Sequence, residues 1–169
     1  MTVDVGLEAV ISAFIRNSEI SSAQYRAGQN SIEIEMIIKD CIDTPKQQSF
    51  CRQATAAIKM LHQLRGKETA EIGINFNNQG NISILTLCRD VFTLTEEEID
   101  LYVKLARLEF SNMLLRETDE AVLQNKAFND IKNRVMQNIR PRNDTSNNIF
   151  AYRDRGKMFC LTNRRRIVI

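Results

Sequence analysis

Val3, Leu7, Val10, Ile11, Phe14 and Ile15 recur at intervals of three and four. That spacing predicts a first helix with one apolar face, interrupted by Asn17 and Ser18. Over residues 19–43 the apolar positions Ile20, Ala23, Ala27, Ile34, Ile37, Ile38, Cys41 and Ile42 keep the same rhythm, with Gly28 as its weak point. The inner stretch 31–38 also alternates Ile-Glu-Ile-Glu-Met, which suits a strand. Two full turns of matches from Ile34 to Ile42 favour a second helix. A third opens at Thr44, with Thr44 as N-cap, Pro45 in the first helical position and Gln47 completing a capping box. Its face is Phe50, Ala54, Ala57, Ile58, Leu61 and Leu64, and Gly66 stops it. His62 falls at the edge of that face, beside Cys51 on the helical wheel, as a partly exposed packing residue.

The period then changes from helical to alternating. Ile72, Ile74 and Phe76, a turn at residues 77–80 and a second run over 82–88 predict a β-hairpin. Thr95 and Glu98 form a capping box for a helix to about residue 116, with Glu96 and Glu97 at its positive end. Thr118 and Asp119 can cap a last helix whose face is Val122, Leu123, Ala127, Ile131, Val135 and Ile139, ended by Pro141. After a polar connector, residues 149–161 read as a second hairpin turning at Asp154, Arg155 and Gly156. The final Ile-Val-Ile suits a strand added to a sheet edge. The expected fold is therefore α+β and mainly α-helical, with about five helices, one central β-hairpin and a C-terminal basic β-hairpin. Residues 1–140 would form the helical core, with its hairpin near 70–89. Residues 141–169 would pack on that core or extend from it.

Composition narrows the class without naming a chemistry. A chain of 169 residues with 43% hydrophobic and 26% charged residues is expected to fold as one globular unit. No apolar run approaches the ~20 residues of a membrane span, and the first one has acidic rather than basic residues before it, unlike a secretory leader. Cys41, Cys51, Cys88 and Cys160 are too widely spaced for a zinc or redox motif, and His62 is the one histidine. Reduced, buried thiols in a cytoplasmic protein are the expectation. Abundant isoleucine and asparagine, 19 and 15 copies, fit an AT-rich coding sequence such as those of many viruses and phages.

Charge is the feature that points to a partner. Residues 140–169 hold eight basic side chains and two acidic ones, net +6, whereas the preceding 139 residues are net −4. The second hairpin sets the aromatic residues Phe150, Tyr152 and Phe159 among the cations Arg153, Arg155 and Lys157, and Arg164, Arg165 and Arg166 follow it. Phosphates attract the cations, and bases can stack on an exposed ring. Arg153, Arg155, Lys157, Arg164, Arg165 and Arg166, with Tyr152 as the stacking ring, are the candidate nucleic-acid-binding residues.

The sequence carries no glycine-rich phosphate loop, nucleophile elbow or metal-ligand pair, so no catalytic residue, metal or cofactor is assigned. The expected function is non-enzymatic: sequence-tolerant RNA binding, as in a small viral or phage nucleoprotein or structural subunit located in the cytoplasm. The rival is a protein–protein adaptor, chaperone or assembly subunit that binds no nucleic acid. Either reading implies a homo- or hetero-oligomer.

Overall fold

Ile32, Ile34, Met36 and Ile38 are buried while Glu33 and Glu35, between them, are only partly so, which is the period of a strand rather than a helix. The computed structural model describes residues 3–68, 71–116, 148–154, 157–162 and 166–168. Among them are three helices, α1 (Val3–Arg16), α2 (Thr44–Leu64) and α3 (Glu96–Phe110). Seven strands join them: β1 (Ile20–Arg26), β2 (Ser31–Ile38), β3 (Gly73–Gln79), β4 (Ile82–Asp90), β5 (Ile149–Asp154), β6 (Lys157–Thr162) and β7 (Arg166–Val168). They form one antiparallel sheet in the order β3-β4-β2-β1-β5-β6-β7.

The fold is thus mixed α+β with an extensive sheet, and the expectation of about five helices around a central hairpin is overturned. Residues 19–43 are not a helix but the β1–β2 hairpin, turned by a 3-10 segment at Ala27–Gln29 and Asn30 in the left-handed region. The expected helix over 118–139 lies outside the described residues. The C-terminal strands join the same sheet as the body, since β5 pairs directly with β1.

The helix starts follow from capping. Asp43, rather than Thr44, caps α2 by accepting from the Lys46 N–H at 2.9 Å. Thr95 caps α3 by accepting from the Glu98 N–H at 3.3 Å. One face of the sheet carries the three helices. Phe14 of α1, Phe50, Ala54 and Ile58 of α2, and Ile99, Tyr102, Val103 and Phe110 of α3 close over Ile20, Ile34, Met36, Leu85 and Leu87. α2 runs antiparallel to α3, with Arg65 beside Glu97 and Lys46 beside Glu109, whereas α1 runs parallel to it, with Ser12 bonded to Glu96 and the following Asn17 to Asp100.

The opposite face has a small apolar cluster of Ile37, Ile82, Ile84 and Leu115. Leu115 reaches it because the chain passes the end of β2 after α3, the Leu115 N–H donating to the Ile37 carbonyl at 2.8 Å. Elsewhere on this face two register rows cross the sheet. One reads Val168–Phe159–Tyr152–Ser22–Glu35–Thr86–Asn75, the other Arg166–Leu161–Phe150–Gln24–Glu33–Cys88–Gly73. Aromatic positions therefore occupy the β5–β6 end, and acidic and polar positions the middle.

Candidate nucleic-acid interface

Alternation along β5 sends Tyr152 to one face of the sheet and Arg153 to the other. Tyr152 is only 7% exposed. Its ring lies between Phe150, at 5.9 Å between centroids, and Phe159, at 5.1 Å and nearly parallel. Three rings in a row hold one another at typical stacking distances, and Tyr152 is the covered one in the middle. Arg153 enters the helix layer. Its guanidinium lies over the Phe14 ring at 4.7 Å and donates to the carbonyls of Phe14, of Asn17 at 3.2 Å and of Ile20 at 3.5 Å. Those carbonyls belong to the last turn of α1 and the residues after it, where a helix end lacks intrahelical donors and its dipole favours a cation. Arg153 is a strut between β5 and α1.

Lys157 opens β6 opposite Asp154, and Arg166 opens β7 opposite Leu161. Arg155, Arg164 and Arg165 lie outside the described residues. Of the seven nominated residues, Tyr152 and Arg153 are engaged within the fold, on opposite faces of one strand.

The acids of the body have partners of their own. Arg16 pairs with Glu96 and with Asp100 at 2.6 Å, Arg26 with Glu33 at 2.9 Å, and Arg65 with Glu97 at 2.5 Å. Lys46 lies 3.7 Å from Glu109, and Arg107 holds Glu19 at 2.8 Å. Burial raises the Glu19 pKa, but the Arg107 hydrogen bond and charge outweigh it, and the carboxyl ends below its usual range. Glu35 goes the other way. Burial pushes its carboxyl up, even though the Ser22 hydroxyl donates to it at 2.7 Å.

Among the described residues, a polar cluster buried inside the helix layer is absent from the candidate residues above. Glu98, 0% exposed, accepts from Arg89 Nε at 2.5 Å and from its terminal nitrogen at 3.1 Å, and lies 2.8 Å from His62 Nε2. Arg89 also donates to Asp90 at 2.8 Å, to Thr93 at 3.2 Å and to the Glu71 carbonyl at 3.2 Å. Burial alone would lower the Arg89 pKa; the bonds and charges of Glu98 and Asp90 outweigh it and hold the guanidinium more firmly protonated than usual. The partner oxygens of Asp90 are bonded by Thr93 as well, and its carboxyl sits below the ordinary value despite burial. His62 is buried, not partly exposed as its helical-wheel position implied, because it continues the stripe Phe50, Ala54, Ile58. Glu98 serves the cap of α3 through its backbone while its side chain turns inward. The signal in the sequence was the capping box itself, which hides a carboxylate one turn into an apolar face. Among the described residues no three His, Cys, Asp or Glu side chains come together as a metal-binding set.

No family model, curated protein or solved structure matches this chain. No helix among the described residues is long and apolar enough to cross a membrane.

Tyr102 gives a test of the core itself. Its ring is fully buried on α3, its hydroxyl has no hydrogen-bond partner, and burial drives its pKa well above the usual value. An orphaned buried hydroxyl costs about 1–3 kcal/mol. Tyr102→Phe should consequently raise the urea midpoint, by about 1 kcal/mol in unfolding free energy. A loss of stability would mean that the hydroxyl has a partner.

Proposed function

We propose that this chain is a non-enzymatic binding and assembly protein whose C-terminal cations take nucleic acid, RNA before DNA. The observation that carries the reading is the internal pairing of the body's acids. Glu19, Glu33, Glu96, Glu97, Glu98, Asp90, Asp100 and Glu109 each face a cation of residues 16–107. None of these eight carboxylates therefore needs a C-terminal cation as its ion-pair partner, although they share six cations and residues 1–139 remain net −4. The nominated surface contracts to Arg155, Lys157, Arg164, Arg165 and Arg166, because Tyr152 and Arg153 hold the sheet to its neighbours. The non-enzymatic half of the reading is supported by His62, Glu98 and Arg89, whose side chains are 0–3% exposed and bonded to one another.

The test is binding of single-stranded RNA and duplex DNA to the full chain across a salt series. Phosphate contacts release counterions, and single strands give a slope near −0.7 per contact. Replacing Arg164, Arg165 and Arg166 together by alanine should weaken RNA binding by at least ~10-fold at ~0.1 M salt and flatten the log–log slope by about 2. Arg153→Ala should lower stability and leave that slope unchanged. Substitution is the proper instrument, since a chain ending at residue 148 would lose the strand that covers β1. The engagement of Tyr152 and Arg153 inside the fold favours a second reading, a protein–protein adaptor without nucleic acid. A folded protein that binds neither RNA nor DNA would decide for it.

A further inference from the structure

Among the described residues strand β3 ends the sheet on the side away from the basic segment, and nothing in its sequence defends that edge. Its seven residues, Gly-Ile-Asn-Phe-Asn-Asn-Gln, contain no charge and no proline, and all seven pair with β4 in one unbroken register. Natural edge strands are usually protected by lysine, proline, a bulge or shortness, because unpaired N–H and C=O groups are a template for another strand. Here none of these is present.

The hydrogen-bonding positions on the free side follow from the turn. Gln79 and Ile82 close a two-residue turn, Gly80 and Asn81, with Gly80 at a φ of +63°. A closing pair of this kind exchanges both its hydrogen bonds, and the pattern alternates from there. Asn77, Asn75 and Gly73 therefore bond to β4, and the N–H and C=O groups of Ile74, Phe76 and Asn78 point outward. The Ile74 carbonyl agrees with this: it accepts from the Cys51 thiol of α2 at 3.4 Å, which a ladder carbonyl facing β4 would not do.

We infer that β3 is a homodimer edge, pairing antiparallel with β3 of a second copy about a two-fold axis at Phe76. The occupant follows from the residues. Such a pair sets Phe76 against its own copy and Ile74 against Asn78, so each outward group meets an outward group, the Ile74 carbonyl accepting through its second lone pair because the Cys51 thiol already bonds it. On the face away from α1, α2 and α3, Asn75 then stands opposite Asn77. Both are exposed in the isolated chain, and two facing amides can donate and accept in turn. Their neighbours on β4, Ile84, Thr86 and Cys88, are uncharged as well, so a charged peptide would find no ionic partner, whereas an identical strand is matched at every position. The inference does not depend on nucleic-acid binding, which lies at the other end of the sheet.

Sedimentation over a wide concentration range, with hydrogen exchange of the full chain, tests it. The protein should self-associate as a dimer, and the Phe76 and Asn78 amides should exchange more slowly as concentration rises. Asn75→Lys with Asn77→Lys places two lysine pairs face to face and should weaken the dimer by about tenfold or more, while Asn75→Gln with Asn77→Gln should retain it. A protein that stays monomeric to its solubility limit would overturn the inference. So would a dimer that ignores the lysines and leaves both amides exchanging at one rate. Should the lysine variant fail to fold, the concentration dependence of those two amides in the native sequence decides alone.

Discussion

Glu98→Ala should destabilise the protein by about 3–5 kcal/mol, the loss expected when one partner of a buried ion pair is removed. For a chain of this length that is a fall in Tm on the order of 10 °C, at roughly 2–4 °C per kcal/mol. The reason is what remains behind. Arg89 has no exposed side-chain surface and would keep its charge with Asp90 as its remaining carboxylate among the described residues, while His62 Nε2 would lose its Glu98 partner. His62 Nδ1 is already buried without a hydrogen bond, so the ring has nowhere to turn for compensation. Replacing the pair together, Arg89→Met with Glu98→Leu, should recover much of the loss, because apolar residues of similar volume avoid the desolvation that the pair must offset. Calorimetry on the two variants checks both statements. A drop under about 1 kcal/mol for Glu98→Ala would mean that water enters the cluster.

The second large effect is expected at Phe110. Its ring, fully buried at the end of α3, contacts Phe50 of α2 at 5.1 Å and Phe76 of β3 at 5.9 Å, and Phe50 and Phe76 meet edge-on at 5.8 Å. Lys46 adds its ammonium 5.5 Å from the Phe110 centroid. Three rings drawn from two helices and an edge strand share one site, so truncation leaves a cavity that no single element can collapse to fill. Phe110→Ala should cost about 3–5 kcal/mol, whereas Phe110→Leu, closer in volume, should cost about half as much or less. Chemical denaturation gives the totals. Hydrogen exchange should show β3 amides opening sooner in the alanine variant than those of β1, since β3 leans on this cluster and β1 does not.

The alternating half of the molecule was legible where its alternation was clean. The β3–β4 hairpin, the C-terminal hairpin, and helices α1 and α3 all stand close to where hydrophobic periodicity and capping put them. The β1–β2 hairpin was not, for a physical reason. The end of β2 is buried on both faces, Ile37 beneath Leu115 and Ile38 in the main core, so the alternation collapses into an apolar run there. Read with Ile34, Cys41 and Ile42, that run imitates helical spacing. At β1 the ladder is also irregular, with a register shift between Ile20 and Ser22. The candidate interface shows a different limit. Cations among aromatic residues look alike in sequence whether they face solvent or a helix end, and the partners of Arg153 are Phe14 and Asn17, more than a hundred residues away. Glu98 was visible only as half of a cap, because its two side-chain partners come from α2 and β4.

The place of β5 carries a consequence for how the chain is made. β5 is inserted beside β1, so the first strand to be synthesised is completed by one of the last. α1, α2, α3 and strands β1 to β4 contain nearly all of the main core, and they leave the ribosome more than thirty residues ahead of Ile149. During that interval Ser22, Gln24 and their neighbours present an open edge, and the carbonyls at the end of α1 await Arg153. Translation time thus becomes a structural variable for this protein. A pause within residues 117–147 would prolong the exposure of that edge on a nascent chain, the state in which unpaired strands find one another on neighbouring ribosomes.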